Sequence, residues 1–185
     1  MKILINKYIG NLGAKILIEN LKKELLNRFS ENYIENVYDT INKNIKENET
    51  SKKLIYKLKN DKIIEDYEEV GYGGFLSSLW KISDRNKVGI KYNLKKVLLN
   101  QGIVEICDHY NLDIYRFLTK NVHIVFVSNE NKTIFEDLID GFFPIGETNN
   151  KKQRLRVDGE TESFLTKNFK DDIEKIINVK KLKLI

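Results

Sequence analysis

The feature that most constrains the fold is the run over residues 71–118, GYGGFLSSLWKISDRNKVGIKYNLKKVLLNQGIVEICDHYNLDIYRFL. It opens with Gly71-Tyr72-Gly73-Gly74, placed between a strand-like segment at 63–70 and an amphipathic segment with Phe75, Leu76, Leu79, Trp80 and Ile82 at helical spacing. A strand at 88–92 and a helix at 102–109 follow, the latter with Ile103, Ile106 and Cys107 on one side. A chain that turns from strand to helix through three glycines in four residues needs either positive φ or a close backbone approach there.

The flanking segments extend the pattern. Lys2–Asn6 alternates as a short strand, Gly10-Asn11-Leu12-Gly13 turns, and residues 14–29 show Ile16, Leu17, Leu21, Leu25 and Leu26 at helical spacing. Ser30 starts a second helix with Ile34, Val37, Tyr38, Ile41 and Ile45 on one face. Residues 46–51, KENETS, predict a short linker, and Leu54, Ile55 and Leu58 a brief helix. Val122–Val127 is apolar nearly throughout, as expected of a strand covered on both faces. A helix is expected at 133–139 and strands at 142–146 and 155–157, joined by a polar loop at 147–152. Asp158-Gly159 signals a hairpin, with Phe164 and Leu165 on the return strand. A helix at 171–177 and a basic-apolar tail with Lys180, Lys181 and Lys183 complete the reading. Helices and strands interleave without a regular βαβ rhythm, so the expected class is α+β, a mixed sheet with helices packed on it, in one domain over 1–185.

With 41% hydrophobic and 32% charged residues and no apolar run of membrane-spanning length, the chain is expected to be cytoplasmic and not membrane-bound. The lone Cys107 excludes an internal disulfide and a multi-cysteine zinc site. A net charge of +5 invites a nucleic-acid partner, but the lysines alternate with acids and arginine is sparse, which argues against one.

The candidate chemistry lies at the glycine turns and the acids before one of them. Gly10, Gly13, Gly71, Gly73 and Gly74 stand where backbone N–H groups at a helix start could hold an anion. The alternative, a tight turn with close helix–sheet contact, is preferred, because the motif is neither G-x-x-x-x-G-K-[ST] nor G-x-G-x-x-G. Glu65, Asp66, Glu68 and Glu69 could hold Mg²⁺ beside a phosphate, or could keep a strand edge soluble, which is the preferred reading. Cys107 is expected as a buried thiol; His109 and His123 have no metal-site or triad partners in the sequence, and no serine sits in a G-x-S-x-G elbow, so no catalytic or metal-binding residue is assigned.

Gly73-Gly74, Leu79-Trp80, Val88-Gly89-Ile90, Glu105-Ile106-Cys107, Leu112 and Tyr115 occur in the order and spacing of the C-terminal domain of the AIR synthase-related, PurM-like superfamily, nearest to its HypE-like members. Upstream, residues 7–13, KYIGNLG, and residues 24–29, ELLNRF, resemble the family's K-[YW]-A-G-x-x-G element and E-x-L-x-x-R-F helix. The resemblance covers residues 3–127, with a weaker echo beyond, and implies a C-terminal-type domain without its N-terminal ATP-binding domain. Such a half would not be autonomously catalytic. It would act as a ligand- or protein-binding module, as a homo-oligomer, or with a separate N-terminal-domain protein in a split ATP-dependent enzyme. ATP and Mg²⁺ would then be required only when such a partner is present. Where relatives carry D-[VP]-[TS]-x-G-G, this chain has Glu69-Val70-Gly71-Tyr72-Gly73-Gly74, with a longer acid and no hydroxyl at Gly71.

Overall fold

A computed structural model describes residues 1–177. Seven strands form one sheet: β1 Lys2–Asn6, β2 Asp66–Val70, β3 Gly89–Tyr92, β4 Val122–Val127, β5 Phe142–Asn149, β6 Arg154–Asp158 and β7 Thr161–Phe164. Their order is β2-β4-β1-β5-β3-β6-β7. Every pairing is antiparallel except β3 with β6, so the sheet is mixed. Five helices accompany it: α1 Asn11–Leu25, α2 Glu31–Asn60, α3 Gly74–Arg85, α4 Gln101–His109 and α5 Lys132–Leu138. The α+β expectation holds.

The apolar run of β4 is covered on both sides. Ile124 and Phe126, with Ile3 and Ile5 of β1, join the main core beneath α1, α3 and α4. Val125 and Val127, with Leu4, face the opposite way and meet Ile55 and Leu58 of α2 and Phe135 of α5. Successive side chains on a strand point to opposite faces, so a strand buried twice has little room for polar residues. The chain's single proline, Pro144, lies inside β5 at the irregularity between Ile3 and Leu4, where a ladder donor is dispensable.

Helix α2 departs most from expectation. The predicted linker at 46–51 and the brief helix after it are both parts of one 30-residue helix, begun by Ser30, whose Oγ accepts the Tyr33 N–H at 3.3 Å. Ile34, Val37 and Ile41 pack into the main core, while Ile55 and Leu58 pack on the other sheet face. The middle of the helix therefore passes the ends of β1 and β4, where the chain turns and leaves backbone groups without ladder partners. Its polar residues serve those groups. Asn44 and Asn48 donate to the Lys7 carbonyl at 2.8 and 2.6 Å, and Asn44 Oδ1 accepts the Tyr8 N–H at 3.1 Å. In return, Asn121 Nδ2 donates to the Ile45 carbonyl at 3.1 Å. Within the expected linker only Asn48 is buried, while Lys46, Glu47, Glu49 and Thr50 stay exposed along the outer face of the helix.

Other boundaries also move, and the strand expected at 63–70 begins only at Asp66. Helix α1 starts three residues before the expected position, at Asn11, and ends at Leu25. The strands at 142–146 and 155–157 lengthen to Phe142–Asn149 and Arg154–Asp158, taking up half of the loop at 147–152, and β3 lies between them. The expected helix at 171–177 is a single 3₁₀ turn, Asp172–Lys175. The hairpin at Asp158-Gly159 forms, with Asp158 opposite Thr161. Lys180, Lys181 and Lys183 lie outside the described residues.

Removing the Asn44 side chain leaves the Tyr8 N–H and one Lys7 carbonyl contact without their partner. Asn44→Ala is expected to lower unfolding stability by about 1–3 kcal/mol in urea titration, with an unchanged m-value.

Candidate functional site

The two glycine turns meet at one segment, residues 114–119, which opens with the 3₁₀ turn Ile114–Arg116. Gly10 and Gly13 approach it from β1 and α1, and Gly74 from α3. A Cβ on Gly13 would lie 2.6 Å from the ring of Phe117, and one on Gly74 would lie 2.6 Å from the Phe117 backbone nitrogen. Gly10 also takes φ +76°, and its N–H donates to Thr119 Oγ1 at 2.8 Å. Gly13 N–H donates to the Leu118 carbonyl at 2.8 Å. Close approach and positive φ account for these three glycines.

The start of α3 is occupied by a side chain from the distant end of the chain. Gly73 (φ +81°) points its N–H at Asp171 Oδ2, 2.7 Å away, while Asp171 Oδ1 accepts from Leu118 and Ile173 at 3.1 and 3.0 Å. Three backbone donors and a helix N-terminus converge on one carboxylate, the arrangement by which such a turn holds an anion. Asp171 is 2% exposed. Burial pushes its carboxyl up to about 6 against the pull of its three N–H partners, with Asp172 adding to the rise. Gly71 is different: a Cβ there would meet nothing within 4 Å.

Glu69 is turned away from this turn. It lies opposite His123, on the sheet face shared with Val125, whereas Val70 enters the main core. Its Oε2 receives Lys52 Nζ at 2.7 Å and its Oε1 the Asn121 N–H at 3.3 Å. Burial works to raise the Glu69 carboxyl, but the Lys52 hydrogen bond and charge, His123 and the Asn121 N–H outweigh it and leave it below the usual range. His123 Nε2 is 4.0 Å from Glu69 Oε2, beyond hydrogen-bond length, and both ring nitrogens lack partners. Burial pushes this imidazole down to about 4.

Of the other acids, Glu65 is exposed, while Asp66 and Glu68 have side-chain partners. Arg85 binds Asp66 at 2.8 Å and Glu68 at 2.7 Å, and Asn86 adds 2.6 Å to Asp66, so the outer strand of the sheet is edged by charge. Among the described residues no group of three or more His, Cys, Asp or Glu is placed to hold a metal ion. Cys107 is buried, and burial pushes its thiol far up. His109 lies against the rings of Tyr110 and Phe29. Of the candidate residues, the fold thus unites Gly10, Gly13 and Gly74 on Phe117, joins Gly73 to Asp171, and sends Glu69 to the far face. Asp171, Phe117 and the asparagines were not singled out from sequence. Asp171 carried a local signal, a helix-capping residue type before Asp172-Ile173, but its tie to Gly73 spans 98 residues.

The chain matches several solved structures over most of its length. A HypE–HypF complex matches with a TM-score of 0.63 at 17% identity, covering 90% of this chain and 52% of that one. HypE of E. coli, a hydrogenase maturation protein, matches at 0.61 and 14%, covering 93% and 51%. Thiamine-monophosphate kinase from Aquifex aeolicus matches at 0.54 and 13%, covering 86% and 50%. This chain has the PurM-like fold of HypE and thiamine-monophosphate kinase. It spans about half the length of these structures. No family model matches the chain, and no curated protein does. Among the described residues no helix is long and apolar enough to cross a membrane.

Two outcomes follow from the buried titrating groups. His123, neutral in the fold and protonatable when unfolded, binds more protons unfolded, so it lowers stability as pH falls from the ordinary histidine value of about 6.5 to about 4. His123→Leu removes this loss without breaking a hydrogen bond, and unfolding measured between pH 7 and 4 is expected to show a flatter acid limb. Asp171 has the opposite sign, binding more protons folded between about 4 and 6. Asp171→Asn keeps one acceptor but turns an amide N–H toward a backbone donor. It is expected to destabilise by about 1–3 kcal/mol at pH 7, read by thermal or urea unfolding.

Proposed function

We propose that this chain is a C-terminal-type HypE-like domain, cytoplasmic, that binds a ligand or a protein and does not turn over ATP by itself. The observation that carries the reading is Asp171 at the start of α3. Its carboxylate takes the Gly73 N–H at 2.7 Å, where a bound phosphate would otherwise be received. Glu69, the sequence counterpart of the relatives' aspartate, is committed to Lys52 and Asn121 on the other face of the sheet.

A second reading has support of its own. The HypE and thiamine-monophosphate kinase structures are about twice the length matched here, and they include HypE with ATP and a thiamine-monophosphate kinase with AMPPCP and TMP. In this reading the chain is one half of a split ATP-dependent enzyme, and a partner polypeptide supplies the nucleotide-binding half and its Mg²⁺. The PurM-like fold itself is common to both readings, and the HypE–HypF complex supports a protein partner in either.

Steady-state ATP hydrolysis separates them. The purified chain with Mg²⁺ is expected to give no turnover above a no-protein control. Turnover by the chain alone overturns the proposal; turnover only after addition of a co-purifying polypeptide selects the split enzyme.

A further inference from the structure

The chain has five arginines, and three of them are accounted for within the fold. Arg85 makes three bonds of 2.7–2.8 Å to Asp66, Tyr67 and Glu68. Arg154 binds Ser83 and Asp84 at 2.9 Å and lies 4.2 Å over the Trp80 ring. Arg28 covers the Phe29 ring at 5.8 Å. The other two, Arg116 and Arg156, line one pocket of about 350 Å³ with Tyr92, Tyr115, Ser163 and Phe164. They arrive from different elements, Arg116 from the segment that carries Phe117 and Arg156 from β6.

Neither guanidinium is saturated. Arg116 has Asp113 at 3.5 Å and the Asn168 carbonyl at 3.5 Å, and Arg156 has Asp158 at 3.7 Å. Charge-assisted N–H···O bonds run about 2.7–2.9 Å, so these contacts leave most of each five-donor fork unspent. Asp158 is drawn instead to Lys95, at 2.6 Å. Burial pushes the Tyr92 hydroxyl up to about 12, and Arg156 and Arg116 both pull against it. Lys95, Arg116 and Arg156 against Asp113 and Asp158 leave a net charge of +1 at the pocket. Ser163 and Thr166 add hydroxyls, and Phe164, 69% exposed, presents an aromatic side chain beside them. Small-ligand sites begin at about 300 Å³, the size of a compact molecule.

We propose that this pocket binds a small organic phosphate, its phosphoryl oxygens taken by Arg116 and Arg156 and its organic body lying over Phe164. Planar guanidinium forks match phosphate oxygens in pairs, and an exposed phenyl ring gains from covering an apolar body. The inference deepens the binding-module reading by giving the module a ligand class, at a place made of none of the candidate glycines.

Calorimetric titration of the full chain with phenyl phosphate, and separately with inorganic phosphate, tests it. Saturable one-to-one binding of phenyl phosphate is expected. Arg156→Gln, at a half-exposed side chain, is expected to weaken it tenfold or more while thermal unfolding stays cooperative. Lys43→Gln, which removes the same charge from the exposed face of α2, is expected to change nothing. Phe164→Ala is expected to weaken phenyl phosphate and leave inorganic phosphate unaltered. Absence of saturable binding, equal losses in Arg156→Gln and Lys43→Gln, or a Phe164→Ala variant that treats both probes alike overturns the proposal. ATP turnover by the chain alone would defeat the module reading and leave the pocket standing; a failed titration without turnover would defeat the pocket alone.

Discussion

The ring of Phe117 occupies the space where a side chain on Gly13 would begin, and its backbone lies where one on Gly74 would begin. Around this residue the two halves of the helical layer become one layer. Leu118 accepts from Gly13 and donates to Asp171, and Asp171 in turn receives Gly73 at the head of α3. The start of α1, the start of α3 and the 3₁₀ turn Asp172–Lys175 are thus joined through three consecutive residues, Phe117, Leu118 and Thr119. Each hydrogen-bonded link runs from a backbone N–H to a carbonyl, to the Thr119 hydroxyl or to a buried carboxylate. Large side chains in place of Gly13 and Gly74 would push the starts of α1 and α3 off this segment.

A second constraint comes from the strand ends. Backbone donors and acceptors that leave a ladder inside a protein must find partners there. Helix α2 provides them with Asn44 and Asn48, and so a single helix can cross the strand ends and cover both faces of the sheet. Its buried residues keep one seven-residue stripe, Ile34, Ile41 and Ile55 with Val37 and Leu58, and Asn44 and Asn48 take the places on it that meet the strand ends. The same arrangement brings Lys52 to Glu69 and shields His123, giving a buried imidazole whose neighbours offer it no hydrogen bond.

These links explain which parts of the site were legible. Glycine between a strand and a helix is a local signal, and the tight-turn reading of Gly10, Gly13 and Gly74 agrees with the contacts they make. The acids of β2 were legible as a charged edge, and Asp66 and Glu68 meet Arg85 there. The role of Asp171 was hidden because its function depends on a partner 98 residues away, which no periodicity reports. Residues 46–51 misled for a related reason: Lys46, Glu47, Glu49 and Thr50 face water as a linker's residues do, and only Asn48 turns inward, to the Lys7 carbonyl just past β1. Arg116 and Arg156 were invisible as a pair, since they are 40 positions apart and neither lies in a motif.

By itself the sequence determined the α+β class, the doubly buried β4, the hairpin at Asp158-Gly159 and the presence of a helix after each glycine turn, all of which follow from side-chain period and backbone freedom over a few residues. Tertiary structure alone decided that α2 runs unbroken, that β3 separates β5 from β6, that Glu69 and Gly73 serve opposite faces, and that a carboxylate of the chain itself takes the α3 N-terminus. Those outcomes depend on which distant groups arrive to satisfy a buried donor, acceptor or charge, and that is settled only when the sheet order is.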